Sequence, residues 1–302
     1  MEINKFIHKK PYLIAGPCSA ESEQQVLQIA KSIEGVADVF RAGVWKPRTN
    51  PNSFEGIGAE GLKWLNTVRK QTSLKVATEV ATAKHVELCL NAGIDMLWIG
   101  ARTTVNPFYV QEIAEVLRGV DVKVMIKNPL HPELSLWIGA IERLNQVGVR
   151  QLSAIHRGFF TLEKSAFRNE PKWEIPIKLK RLLPELPIIC DPSHISGAPQ
   201  MLSEVSQIAM DLNMDGLMIE THYNPSAALS DAQQQITPKE LGVLLDNLIY
   251  SYNTDCLAIN FNYNKSFYSD GSLEPDETLS FLIKIIPFTE LGVPNFGNII
   301  GK

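Results

Sequence analysis

The chain has 302 residues, 45% of them apolar, and a formal net charge of -4, which suits one large domain or two small ones around a sizeable core. Mild acidity argues against a nucleic-acid backbone as the main partner, because such binders carry a basic face, and no apolar run approaches the ~18 residues of a membrane span. Four cysteines (Cys18, Cys89, Cys190, Cys256) are scattered without CxxC spacing, so neither a zinc ribbon nor a disulfide scaffold is indicated.

The opening "MEINKFIHKKPYLIAG" lacks a signal-peptide apolar region with a small-residue cleavage site, so a cytoplasmic location is expected. Apolar β-branched runs then alternate with amphipathic helical stretches as far as Tyr250. The predicted order starts with strand "YLIAGPCS", helix "SEQQVLQIAKSIEG", strand "VFRAGVW" and helix "GAEGLKWLNTVRK". Next come "LKVATEV" and "AKHVELCLNAG", "MLWIG" and "PFYVQEIAEVLRG", then "VKVMIKN" and "LSLWIGAIERLNQVG". Strand "VRQLSAI" precedes a weaker helix, "WEIPIKLKRLLPE", interrupted by Pro176. The last pairs are "PIICDPS" with "APQMLSEVSQIAMDLN" and "GLMIETH" with "PKELGVLLDNLIY". About eight strand and helix pairs in roughly 250 residues is the count of a (β/α)8 barrel. An open doubly wound sheet would leave strands over and would want a Gly-rich turn after the first strand. The expected organisation is a barrel over 1–250 and a C-terminal extension over 251–302.

Function in such a barrel sits at the C-terminal ends of the strands. Those ends carry Cys18 and Ser19; Arg41, Lys46 and Arg48; Glu79; Arg102; Lys127; His156 and Arg157; Asp191 and His194; and Glu220, with Asp231 in the loop beyond. Two groups stand out. Arg41, Lys46, Arg48, Arg102, Lys127 and Arg157 form a cationic set that needs anions to neutralise it, and guanidinium forks match phosphate and carboxylate oxygens. A phosphorylated, acidic substrate fits, against the alternative that each is a plain salt bridge. Cys18, His194, Glu220 and Asp231 come from the first, seventh and eighth strands, which barrel closure makes neighbours. Together they could hold a divalent cation of mixed N, O and S preference. The alternative for Cys18 is an ordinary buried thiol, which is the expectation for Cys89 and Cys190. Trp64, Trp98 and Trp137 read as packing between barrel and helices. His8, His85 and His131 suggest no partners and read as exposed, while Glu79, His156 and His222 read as rim residues of direct or supporting role.

The segments "AGPCSAES", "FRAGVWKPRTNPNSFEG", "TEV", "IGAR", "IKNP", "IHRGF", "DPSH" and "ETH" together resemble the 3-deoxy-D-arabino-heptulosonate 7-phosphate (DAHP) synthases of the shikimate pathway, in the branch related to 3-deoxy-D-manno-octulosonate 8-phosphate synthase. The resemblance covers about Pro11 to Tyr250. "KPRT", Lys46 to Thr49, is similar to the heptulosonate enzymes, whereas octulosonate enzymes typically carry a "KANRS"-like stretch. The resemblance implies that Arg41, Lys46, Arg102, Lys127 and Arg157 hold phosphoenolpyruvate, with backbone amides near Gly100 and Ala101 at its phosphate. Pro47, Arg48 and Thr49 would meet erythrose 4-phosphate. It further implies a metal held by Cys18, His194, Glu220 and Asp231, with Mn, Fe, Zn or Co all plausible, and Lys46 and His194 as catalytic candidates. A homo-oligomer, dimer or tetramer, is expected, with no nucleic-acid or membrane partner.

Only about ten residues precede the first strand, so no N-terminal regulatory domain is expected. Residues after Tyr250 lack the long Arg-bearing helices of a chorismate mutase, so that activity is not expected either. Three rivals remain: the octulosonate synthase acting on arabinose 5-phosphate, a Schiff-base aldolase using Lys127, and a non-catalytic binding barrel.

Overall fold

A computed structural model describes residues 11–48, 50 and 52–249. Eight parallel strands close on themselves in sequence order: β1 (Tyr12–Gly16), β2 (Val39–Arg41), β3 (Lys75–Val80), β4 (Met96–Ile99), β5 (Lys123–Lys127), β6 (Leu152–His156), β7 (Ile188–Cys190) and β8 (Gly216–Glu220). Closure is made by β1 and β8, paired from Tyr12↔Gly216 to Gly16↔Glu220. This is the (β/α)8 barrel expected from the alternation. The extension over 251–302, and with it Cys256, lies outside the described residues, as do His8 and Thr49.

The helices are α1 (Glu23–Ile33), α2 (Glu60–Gln71), α3 (Ala83–Asn91), α4 (Ala101–Thr104), α5 (Pro107–Val116), α6 (Leu134–Gln146), α7 (Glu174–Leu182), α8 (Pro192–Ser196), α9 (Leu202–Asp211) and α10 (Pro238–Asn247). Their starts follow the capping chemistry of the sequence. Ser22, Thr82 and Asn106 accept from backbone N–H groups two or three residues on, and Thr237 with Glu240 forms a capping box ahead of Pro238. Pro176 does not interrupt α7. It is the third helical residue, where the backbone N–H would have no intrahelical partner anyway.

Strand parity separates two cores. Tyr12, Ile14, Val39, Ala77, Met96, Trp98, Met125, Ile155, Ile189 and Met218 fill the barrel interior. Alternate residues such as Leu13, Phe40, Val76, Leu97, Val124 and Leu217 pack outward with the helices. Both faces are apolar, as expected for parallel strands covered on both sides. Trp64 and Trp137 belong to the outer layer, as expected. Trp98 does not: it lies inside the barrel, because it shares the parity of Met96. Cys89 and Cys190 are buried in the outer core, also as expected. None of the described helices is long and apolar enough to cross a membrane.

The interior parity carries Arg41, Glu79, Lys127, Asp191 and Glu220 to one end of the barrel, two residues beyond Val39, Ala77, Met125, Ile189 and Met218 of the interior layer. Close approach there depends on glycine. At Gly16, with φ +144°, a Cβ would fall 2.2 Å from the Arg41 carbonyl oxygen, so β1 can lie this close to β2 only without a side chain.

Candidate active site

The C-terminal end of the barrel opens into a cavity of about 540 Å³. Its wall includes Lys46, Pro47, Arg48, Glu79, Gly100, Ala101, Arg102, Lys127, Arg157, Arg168, Asn169, His194 and Asp231. Residues from seven different strand ends and the loops after them, β2 to β8, therefore meet around one space. Gly100 leaves room for the Glu79 carboxylate: a Cβ there would fall 2.2 Å from Glu79 Oε1 and push that side chain aside.

Beside the cavity, Cys18 Sγ, a Glu220 oxygen and an Asp231 oxygen all lie within 4.8 Å of one another. The Cys18 thiol donates to Asp231 Oδ2 at 3.2 Å and is 3.0 Å from Ser230 Oγ. His194 stands just outside this trio, with Nε2 3.8 Å from Glu220 Oε1 and Nδ1 3.0 Å from Asp191 Oδ1. Asp191 thus orients the imidazole so that its other nitrogen faces the carboxylates. Burial pushes the Cys18 thiol up to about 12, with Glu220 adding to the effect. One soft sulfur, one imidazole and two carboxylates, largely buried together, fit a divalent cation.

Arg41 sits beneath this cluster, 1% exposed, and not in the cavity wall. Its Nη1 donates to Glu220 Oε1 at 2.9 Å, its Nη2 to the Cys18 carbonyl at 3.2 Å, and its guanidinium lies 4.9 Å from the Trp98 ring centroid. In this geometry it faces the carboxylate and the thiol's backbone, not the open space where an anion would enter. Lys46 lies between the two sets, its Nζ 3.0 Å from Cys18 Sγ and 3.1 Å from Cys18 O. Burial works against the Lys46 ammonium, but Cys18, Glu220 and Glu79 outweigh it and raise its pKa.

Around the cavity wall, Arg48 donates to Phe54 O at 2.9 Å and to Ser230 Oγ, Arg102 to Pro47 O at 3.0 Å, and Arg157 to Asn169 Oδ1 at 2.7 Å. All these acceptors are neutral, so no hydrogen-bonded carboxylate occupies them, although Asp191 and Asp231 act on Arg157 through space. Burial lowers Arg157 to about 10, still well above neutrality. Lys127 is ion-paired to Asp191 at 2.9 Å. Burial alone would raise the Asp191 carboxyl, but His194 and Lys127 hold it well below its ordinary value.

Sequence reasoning missed several members of this site. Arg168, in the loop between β6 and α7, lines the cavity and donates to Asp231 Oδ1 at 3.1 Å and to Gln234 Oε1. Asn169, Gln234 and Gln235 also lie outside every strand end and outside the resemblance motifs. The "DPSH" strand end is in fact a helix start. Asp191 accepts from His194 N at 3.1 Å and caps α8 with Pro192 at its first position, a signal the residues themselves carried. His85 is not without partners: it is half-buried, stacked on Trp45 at 3.9 Å between ring centroids. Its Nδ1 accepts from Ala81 N at 3.3 Å. His131 is exposed, as expected. Glu79 accepts from Trp98 Nε1 at 3.0 Å and faces the cavity, whereas His222 is buried against Tyr223 away from it.

His156 turns away from the rim into the helix layer, fully buried beside Phe159 and Trp173. Burial, with Arg157 adjacent, lowers its imidazole to about 3 from 6.5. A group whose folded pKa lies below its unfolded one contributes stability above the unfolded value and loses it on acidification. His156 should therefore cost stability progressively between pH 6.5 and about 3, at up to ~1.4 kcal/mol per pH unit. Urea melts across that range should show a shallower loss for His156→Phe. Equal slopes for the two proteins would show that the folded imidazole takes up its proton normally.

The family model described as the DAHP synthetase I family matches residues 6–250. The phospho-2-dehydro-3-deoxyheptonate aldolase of Thermotoga maritima is 28% identical over 225 residues, covering 74% of this chain and 64% of that protein. The 2-dehydro-3-deoxyphosphooctonate aldolase of Wolinella succinogenes is 25% identical over 258 residues, covering 78% of this chain and 97% of that one. Among solved structures, the Thermotoga maritima DAHP synthase superposes with a TM-score of 0.69 at 26% identity, covering 78% of this chain and 67% of that chain. A truncated form from the same organism gives the same TM-score at 23% identity, covering 81% and 90%, and supports the fold.

Proposed function

The chain belongs to the DAHP synthetase I family, and on that premise we propose that it is a metal-dependent 3-deoxy-7-phosphoheptulonate synthase, joining phosphoenolpyruvate to erythrose 4-phosphate with release of phosphate. The observation that carries this reading is the juxtaposition of three cavity-wall arginines bonded to neutral acceptors with a donor set of which His194 and Asp231 line the same cavity and Cys18 and Glu220 are buried beside it. Two phosphorylated substrates account for the first. An aldehyde that must be attacked accounts for the second.

Cys18, His194, Glu220 and Asp231 would hold the cation, which when bound supplies Lewis-acid polarisation of the aldehyde oxygen. Arg102 and Arg157, with the backbone at Gly100 and Ala101, would bind the phosphate of phosphoenolpyruvate, and Lys127 its carboxylate side. Arg41 would act from beneath, fixing Glu220 and the Cys18 carbonyl. C3 of phosphoenolpyruvate then attacks the aldehyde carbon, and Lys46 gives a proton to the forming alkoxide. Water adds at C2, and phosphate leaves by C–O cleavage.

"KPRT" favours erythrose 4-phosphate over arabinose 5-phosphate, the substrate of the octulosonate reading. Thr49 lies outside the described residues, so the argument rests on Pro47 and Arg48, both in the cavity wall. Arg48→Ala should raise KM for erythrose 4-phosphate by about 10-fold or more while largely sparing kcat and KM for phosphoenolpyruvate, as expected when a contact is equally strong in ground and transition states. A panel of aldose phosphates tests the specificity. Turnover of arabinose 5-phosphate in preference to erythrose 4-phosphate would replace this reading by the octulosonate one.

A further inference from the structure

Beside the candidate metal centre runs the segment Ser230 to Gln235, of which the proposed function uses only Asp231. It is loop with one 3-10 turn, Ala232–Gln234, yet Ser230, Gln234 and Gln235 are each no more than 3% exposed. Burying amide side chains is unfavourable unless their polar atoms are bonded. Gln235 accepts from Cys18 N at 3.1 Å and donates to Ser230 O at 2.8 Å. Gln234 donates Nε2 to Glu220 Oε2 at 2.7 Å and accepts at Oε1 from Arg168 Nη1.

The orientation of the Gln234 amide is dictated by its partners. A guanidinium only donates and a carboxylate only accepts, so the amide oxygen faces Arg168 and the NH2 faces Glu220. Glu220 is thereby held at both oxygens, Oε1 by Arg41 at 2.9 Å and Oε2 by Gln234. The same Arg168 nitrogen donates to Asp231 Oδ1 at 3.1 Å. One buried amide and one guanidinium thus tie two carboxylates of the cluster together, while Asp231 keeps its other oxygen toward Cys18.

We infer that Gln234 is a positioning residue for the divalent-cation site, fixing the rotamer of Glu220 directly and the aim of Asp231 through Arg168. The inference rests on the metal-centre reading above. Carboxylates held this way are already arranged for a cation, so their reorganisation does not subtract from binding, and loss of such an outer partner typically costs ~10–100-fold in metal affinity. A residue that merely glued the loop would change stability and leave affinity alone.

The test titrates metal-stripped, full-length protein with Mn²⁺ by calorimetry, without substrates, alongside thermal melts. Gln234→Leu should raise Kd by ~10–100-fold. Arg168→Leu should do the same, whereas Arg168→Lys should stay near wild type, because both bonds leave one nitrogen and an ammonium can make both. If wild type and Cys18→Ser bind Mn²⁺ alike, the metal-centre reading falls and takes the inference with it. If wild type binds through Cys18 but Gln234→Leu binds as tightly and only melts earlier, the inference alone is overturned. Should Gln234→Leu fail to fold, the Arg168 pair decides: weakened binding in Arg168→Leu, restored in Arg168→Lys, supports it, and unchanged binding in Arg168→Leu overturns it.

Discussion

Cys18→Ser is expected to lower divalent-cation affinity by more than the ~10–100-fold that loss of an outer partner costs, and to reduce turnover in parallel. The substitution exchanges a soft sulfur for a hard, poorly ionised oxygen at a point where two carboxylates converge within 4.8 Å. As an ordinary core thiol, Cys18 would respond differently. The serine hydroxyl would then keep Asp231, Ser230 and Lys46 as polar neighbours and leave metal content unchanged. Cys89 supplies the control, since it is equally buried but lies in the outer core on α3. Cys89→Ser should lose stability and stay active if it folds. Metal content by elemental analysis, measured beside activity and melting temperature for both variants, separates the two roles. Wild-type metal content and turnover in Cys18→Ser would remove the ligand assignment and the Lewis-acid role built on it.

Lys46→Ala is expected to cut kcat and kcat/KM together, by ~10²–10⁴-fold, the usual contribution of a positioned general acid. Lys46 lies between the donor set and the cationic wall, its ammonium 3.0 Å from Cys18 Sγ. That is where an aldehyde oxygen directed at the donor set would develop charge. The contrast with Arg48→Ala is the informative part. Arg48 lies in the cavity wall, bonded to Ser230 and Phe54 O, and should affect chiefly the aldose phosphate. Steady-state kinetics in both substrates checks the difference. A rise in KM alone for Lys46→Ala would make it a binding residue and leave the alkoxide proton unassigned.

The barrel was legible because each strand and helix pair announces itself: an apolar run, a cap, then an amphipathic stretch. The ring of charge was legible because Arg41, Lys127, Asp191 and Glu220 each follow an apolar strand at its functional end. What each charge faces was not. Arg41 and Glu220 are 179 residues apart, and nothing local in "FRAG" says that this arginine turns down onto a carboxylate while Arg102 faces the cavity. Trp98 was misplaced for a related reason. Both faces of its strand are apolar, so its neighbours do not say which way it points. Arg168 and Gln234 lie in loops, where no periodicity marks an inward residue. Their partners, Asp231 and Glu220, come into reach only when the barrel closes.

The central claim, that the two constellations form one metal-dependent condensing site, is tested most directly by phosphate release from phosphoenolpyruvate. Chelator-stripped protein should release none, with or without an aldose phosphate. Adding back a divalent cation should restore release only when erythrose 4-phosphate is also present, one phosphate for each seven-carbon product formed. Release that continues at full rate in excess chelator, or that needs no aldose phosphate, would contradict the account.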